Sequence, residues 1–274
     1  MNYSNEFFEK KSKELKAVCI KLAHAGKEGH LNGALSSVDL LIALYYGFLK
    51  IDPQDPKHPN RDRLLFSKGH ACASLYAILA DRGFFPKEWL SKYAHNDTPL
   101  PSHPCIHALP VLETSAGSLG HGLGVASGIA YSLKLKEQAG RVVALISDGE
   151  CNEGSTWETA MFANTHKLSN LTVLVDYNGI QSVGTTAQLM GSAQSVVEKF
   201  KAFGWNTCLT DGHNIPELIT TLNRSPLNPQ TPSAIVAQTK AGSGVSFMEN
   251  QVLWHYRVPS EEDVSRAMAE LGQV

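Results

Sequence analysis

The chain has 274 residues, 43% hydrophobic and 18% charged, the make-up of an ordinary globular protein long enough to bury one large core. Lys and Arg total 24 against 26 Asp and Glu, so the net charge is -2 and no basic field invites nucleic acid. Residues 1–16 are charged throughout and lack a signal-peptide core, and no uninterrupted apolar stretch reaches membrane length, so a cytoplasmic protein free of membranes is expected. Cys19, Cys72, Cys105, Cys151 and Cys208 stand far apart with no Cys-x-x-Cys pair, which favours reduced thiols over zinc ligands or disulfides.

Leu15, Val18, Cys19 and Leu22 recur at helical spacing and predict an amphipathic helix over 5–24, ending near Gly26. Ser36 and Ser37 read as caps of an apolar helix beginning at Val38, which Gly47 weakens near its end. After a Pro-rich loop over 52–63, Leu64-Leu65-Phe66 predicts a short buried strand, and Lys68-Gly69-His70 turns into a helix over 71–82. Pro86 is placed as the first residue of another helix, and residues 95–117 form an aperiodic Pro- and His-rich connection.

From Gly117 a glycine-rich turn runs into a helix with small residues at Gly120, Gly124 and Gly128, a spacing that suits tight packing within the chain as well as a subunit interface. The runs 141–147 and 171–176 are near-continuously apolar, as in strands covered on both faces, and a helix over 155–168 capped by Ser155 or Thr156 joins them, so they are expected to be parallel. Helical segments follow at 192–202 and 216–223, with a short strand near 205–209 and another at 234–238. The fold class is α/β: three layers, with a mostly parallel sheet between helices, in a single domain over 1–274.

In such a sheet Asp148 and Asn178, each just after its strand, come to the same carboxyl edge, where ligands bind. Their side chains offer hard oxygens suited to magnesium, while the dipeptides Asp148-Gly149 and Asn178-Gly179 read equally as plain turns. The wider stretch Ser147-Asp148-Gly149-Glu150-Cys151-Asn152-Glu153-Gly154, followed by a helix and by 171–180 ending Asp176-Tyr177-Asn178-Gly179-Ile180, resembles the thiamine-diphosphate motif. Four further motifs agree in order: Gly29-His30; Arg61-Asp62-Arg63 with Ser67-Lys68-Gly69-His70; Ser102-His103-Pro104; and Gly117-Ser118-Leu119-Gly120. Together they resemble the N-terminal, diphosphate-binding domain of transketolase over residues 26–255.

That resemblance implies that Asp148, Asn178 and the main-chain carbonyl of Ile180 bind Mg2+ or another divalent cation, with Gly149, Glu150 and His70 on the diphosphate side. It implies that Gly117, Ser118 and Leu119 pass along the aminopyrimidine, that Glu153 joins a network across a subunit boundary, and that His30 and His103 face the reacting sugar. Thr239-Lys240-Ala241-Gly242-Ser243-Gly244 and Trp254-His255 resemble a loop and a Trp-His element around the active site of relatives, which brings Lys240 and His255 to the cofactor. The chain departs from the family pattern at Ser147, at His121 in place of glutamine, and at Tyr256 in place of the glycine after Trp-His.

In the family the glutamate that activates thiamine diphosphate lies in a pyrimidine-binding domain beyond the point where this sequence stops. The expectation is one subunit of a split transketolase, a heterotetramer with two copies of a partner carrying that domain, which moves a two-carbon ketol unit between phosphorylated sugars. The alternatives are a 1-deoxyxylulose-5-phosphate synthase-like enzyme, the first component of a 2-oxoacid dehydrogenase, and a non-catalytic nucleotide-binding or assembly module.

Overall fold

Val142–Ser147 and Leu171–Tyr177 are buried at every position, as parallel strands covered by helices on both faces must be. A computed structural model describes residues 3–273; Met1, Asn2 and Val274, which the expected 1–274 domain includes, lie outside the described residues. In chain order the elements are α1 (Asn5–Gly26), α2 (Leu31–Ile42), β1 (Arg63–Phe66), α3 (Cys72–Asp81), α4 (Gly122–Leu135), β2 (Val142–Ser147), α5 (Gly154–Thr165) and β3 (Leu171–Tyr177). A small antiparallel hairpin of β4 (Ile180–Gln181) and β5 (Gly184–Thr185) follows, then α6 (Thr186–Met190), α7 (Ala193–Ala202), β6 (Asn206–Asp211), α8 (Ile215–Asn223), β7 (Ser233–Gln238) and α9 (Glu261–Leu271).

Five strands form one parallel sheet in the order β1-β2-β3-β7-β6. One face is covered by α1, α2, α3, α8 and α9, the other by α4, α5 and α7. The segments leaving β1 and β7 therefore go to the first face while those leaving β2 and β3 go to the second, and they part above the carboxyl edge, where an open parallel sheet forms its binding crevice. The run Leu31–Phe48 is long and apolar enough to cross a membrane by length and composition, with a mean hydropathy of 1.2, but 83% of it is buried inside this fold.

Several local expectations change. Helix α2 begins at Leu31, not Val38, directly after His30 in a left-handed conformation (φ 58°), and the chain continues through a π-helical turn at Ala43–Phe48. Ser36 and Ser37 cap nothing; their hydroxyls lie inside the helix and serve tertiary and back-bonded contacts. Ser155 and Thr156 do not cap α5 either, because both hydroxyls donate, to the carbonyls of Gly120 (2.8 Å) and Glu150 (2.7 Å), and leave the cap position to Glu153. Pro86 precedes a short 3-10 turn, Lys87–Lys92. Helix α9 is opened by a capping box of Ser260 and Asp263, a sequence signal that periodicity passes over.

Below the carboxyl edge lies an ion pair with no solvent exposure: the Lys68 ammonium, just after β1, contacts the Asp176 carboxylate near the end of β3. Lys68 also donates to the carbonyl of Gly33 (3.0 Å), while Asp176 accepts from Ser36 (2.7 Å) and Thr239. Breaking a fully buried pair leaves one charge without compensation, so Lys68→Met is expected to cost about 3–5 kcal/mol in urea unfolding. A loss under about 1 kcal/mol, the range of a surface pair, would refute that account.

Candidate functional site

The site starts from strand register. Ser147 of β2 pairs with Asp176 of β3, so Asp148 just after β2 and Asn178 just after β3 leave the sheet close together. Asp148 is 2% exposed; its Oδ2 accepts from the Thr186 hydroxyl (2.6 Å) and Gly179 N–H (3.1 Å), and its Oδ1 from Gly149 N–H (2.8 Å). Burial, opposed by the Thr186 hydrogen bond but reinforced by nearby Asp176, pushes its carboxyl up to about 6. Asn178 is oriented from both ends, its Nδ2 donating to Ser36 (3.2 Å) and its Oδ1 accepting from Ile180 N–H (3.0 Å).

Above this edge opens a cavity of about 450 Å³. The lining includes Asp148, Gly149, Asn178, Ile180 and Gln181, and also His30, His70, His103, His255 and Tyr256 together with Gly117, Leu119 and Glu153. The rings of His30, His70 and His255 form a triangle with centroids 5.3, 5.0 and 5.8 Å apart. The His30 N–H donates to the His255 carbonyl (2.8 Å), which ties the start of α2 to the distant Trp-His element.

Burial is the main force on these imidazoles, and it lowers all three from their ordinary range. His30 is lowered further by His103; His70 falls well below the usual value, helped by the Lys68 charge; and His255 falls to about 4, with His30 and Lys68 contributing. They are neutral near pH 7, each with one nitrogen to donate and one to accept. Nδ1 of His30 and Nε2 of Gln181 are buried without a hydrogen-bond partner among the described residues.

Glycines let backbone segments close on the cavity. A Cβ at Gly69 would sit 2.7 Å from the Ala116 carbonyl carbon, and one at Gly120 (φ 80°) 2.6 Å from the Glu153 Cβ, so neither position admits a larger residue. Glu150 does not line the cavity. It is buried beneath, accepting from Ser67, Gly120 N–H (3.1 Å) and Ser147 N–H (3.0 Å), and so fastens the ends of β1 and β2 to the glycine-rich turn. Ser118 is exposed and outside the lining. Lys240 is also outside, because its ammonium turns to solvent and pairs with Glu249 (2.9 Å). His121 is exposed, with Nδ1 3.2 Å from the Leu119 carbonyl. Cys151 is buried and its thiol is pushed far up by desolvation, so it behaves as a small apolar residue.

Sequence reasoning gave no role to Asn152 and Gln181, which line the cavity and bond to each other at 3.0 Å. Asn152 lies inside the quoted 147–154 stretch and Gln181 one residue beyond Ile180, and these positions were the available signal. A hard divalent cation suits what is present: a buried carboxylate raised in pKa, an amide oxygen held in place, and a neighbouring carbonyl, with the Asp148 oxygens engaged by a hydroxyl and backbone N–H groups and not by a cationic side chain. Among the described residues no group of three or more His, Cys, Asp or Glu side chains converges as a metal centre.

The neutral imidazoles also link stability to pH. Their folded pKa values lie below the ordinary 6.5, so the unfolded chain binds more protons in acid. The stability they confer is fully present above pH 6.5 and is lost as pH falls from there towards about 4, the value for His255. Asp148 and Glu150, whose carboxyls burial raises, act in the opposite sense over the same range, so the test is a comparison: His255→Gln is expected to lose less stability than the unsubstituted chain as pH falls from 6.5 to 4, read from urea midpoints, and an identical change would count against it.

Comparison with known proteins agrees with this geometry. The family described as "Transketolase, thiamine diphosphate binding domain" matches residues 9–273. The chain is 37% identical over 271 residues to an apulose-4-phosphate transketolase subunit of Actinobacillus succinogenes, covering 98% of both chains. It is 38% identical over 243 residues to a 6-deoxy-6-sulfo-D-fructose transketolase subunit of a Clostridium species, covering 89% of this chain and 88% of that one. Among solved structures, transketolase from Campylobacter jejuni superposes with a TM-score of 0.91 at 28% identity, covering 99% of this chain but only 43% of its own. A match along nearly the whole chain, on a sheet edge built as described, establishes that this protein belongs to the transketolase thiamine-diphosphate-binding family.

Proposed function

We propose that this chain is the diphosphate-binding subunit of a two-subunit transketolase, which transfers a two-carbon ketol unit from a ketose to an aldose. The observation that carries the reading is one cavity with an oxygen-rich edge of Asp148, Asn178 and Ile180 and a wall of neutral histidines. In this reading Asp148, Asn178 and the Ile180 carbonyl hold Mg2+, and Gly149, His70 and His255 lie along the diphosphate. The backbones of Gly117 and Leu119 meet the aminopyrimidine. When bound, thiamine diphosphate supplies a nucleophilic thiazolium carbon and an electron sink for carbon–carbon cleavage.

This chain's own contribution is to bind, orient and move protons. His30 and His103 exchange protons with hydroxyl and carbonyl oxygens of the sugar; the free Nδ1 of His30 and its lowered pKa suit a neutral donor and acceptor at pH 7. The two subunit relatives are named for apulose-4-phosphate and 6-deoxy-6-sulfo-D-fructose, which supports an anionic ketose as the substrate class. The cavity lining, among the described residues, includes no Lys or Arg, so the anionic end would be met by the partner chain. A heterotetramer with two copies of each chain, working in the cytoplasm, belongs to the same reading. The other thiamine enzymes are less favoured, since both of these subunit relatives carry transketolase names.

Calorimetry with thiamine diphosphate and Mg2+ on the assembled enzyme tests the metal assignment. Asp148→Ala is expected to weaken binding more than roughly tenfold, since loss of even an outer partner of a metal ligand costs that much. Unchanged affinity would remove Asp148 as a ligand. Ketol transfer from phosphorylated or sulfonated ketoses should appear only when the partner chain is added; full transfer by this polypeptide alone would overturn the split assignment.

A further inference from the structure

The segment following β7 returns to the cavity and places His255 and Tyr256 in its lining. Tyr256 is 61% exposed, and among the described lining residues it alone carries a phenol ring. Its ring meets the edge of His30 at 5.6 Å and of His255 at 4.9 Å, both in edge-on geometry. The side chain thus continues the histidine wall of the cavity.

Its backbone is tightly held. A Cβ at Gly29 would lie 2.7 Å from the Tyr256 carbonyl oxygen, so the glycine before His30 allows the two segments to touch. Tyr256 N–H donates to the Leu253 carbonyl (3.3 Å), and the adjacent His255 carbonyl receives the His30 N–H. An aromatic ring fixed in this way, beside neutral imidazoles, offers a flat face for the C–H groups of a polyhydroxylated chain and a hydroxyl at its tip. The other apolar side chains of the lining, Leu119 and Ile180, belong to segments assigned above to the cofactor.

We propose that Tyr256 is a specificity-determining residue that packs on the non-reacting carbon chain of the sugar, selecting substrates by what they carry beyond the carbons that react. The proposal rests on the ketol-transfer reading. It makes this chain, and not only its partner, a selector of substrate. The reacting carbons are handled by the imidazoles, and the remainder of the sugar passes across the tyrosine on its way out of the cavity.

The test uses the assembled enzyme with unsubstituted Tyr256, Tyr256→Gly and Tyr256→Phe. Tyr256→Gly is expected to raise KM for longer sugars roughly tenfold, the scale of one lost apolar contact, while kcat and the KM of the shortest aldehyde acceptors stay within about twofold. Tyr256→Phe should retain most of the discrimination. Calorimetry with a non-cleavable polyol phosphate supplies a readout independent of turnover, and its affinity should fall in step with the KM change. Equal changes for all sugars, no change in polyol affinity, or a loss traced by sedimentation to weaker assembly would each overturn the assignment. Should the unsubstituted enzyme transfer no ketol unit from any sugar, the function reading fails, and the polyol affinities still decide whether Tyr256 grips a sugar.

Discussion

The buried contact between Lys68 and Asp176 is the constraint from which the site is built. Two charges without solvent exposure persist only if each finds several partners, and here those partners belong to separate elements. Lys68 reaches the Gly33 carbonyl in α2; Asp176 engages Ser36 in the same helix and Thr239 after β7. Ser36 then accepts from the amide of Asn178, so the orientation of a cavity-lining side chain descends from the ion pair through a single hydroxyl. The loop after β7 is closed onto the same place by Ala241 N–H on the Asn178 carbonyl (3.2 Å). Thus β1, β3, β7 and α2 are fixed together directly under the cavity.

Electrostatically the cavity lining has two parts. The sheet edge gathers oxygen atoms, with Asp148 raised in pKa because its charge is buried, a cost that a bound cation would offset. The histidine wall gathers imidazoles that burial and the Lys68 charge keep neutral. Lys68 is thus both a structural anchor and a source of positive potential, which opposes protonation of the histidines. Glu150, just after β2, is a second buried acid, its pKa raised by burial and its carboxyl oxygens occupied by Ser67 and two backbone N–H groups. Placing Lys68 and Glu150 outside the lining leaves the cavity free to meet a guest.

Much of this was legible in the chain. The two near-continuous apolar runs read as strands covered on both faces, and the helix between them pointed to a parallel pair, which puts Asp148 and Asn178 on one edge, as found. Helix caps were less legible, because a serine at a helix start looks the same whether its oxygen accepts from the helix or donates elsewhere. Ser36, Ser155 and Thr156 all donate, each to an atom remote or upstream in sequence. Lys240 misled for a similar reason. The resemblance of its loop to an active-site loop of relatives implied the cavity, but the backbone of that loop faces Asn178 while the long side chain turns out to Glu249.

The sequence by itself determined the fold class, most of the strands and helices though not the β4–β5 hairpin, α6 or α9, and the residue types suited to a diphosphate and a divalent cation. Those features follow from local periodicity and from motifs that are continuous in the chain. Only the tertiary structure decided which histidines meet, which acid lines the cavity and which is buried beneath it, and that a tyrosine joins its lining. His30 and His255 are distant in sequence and touch because Gly29 admits the backbone of Tyr256. Such contacts depend on where side chains point after the sheet and its two helical layers have packed, and no local pattern encodes that direction.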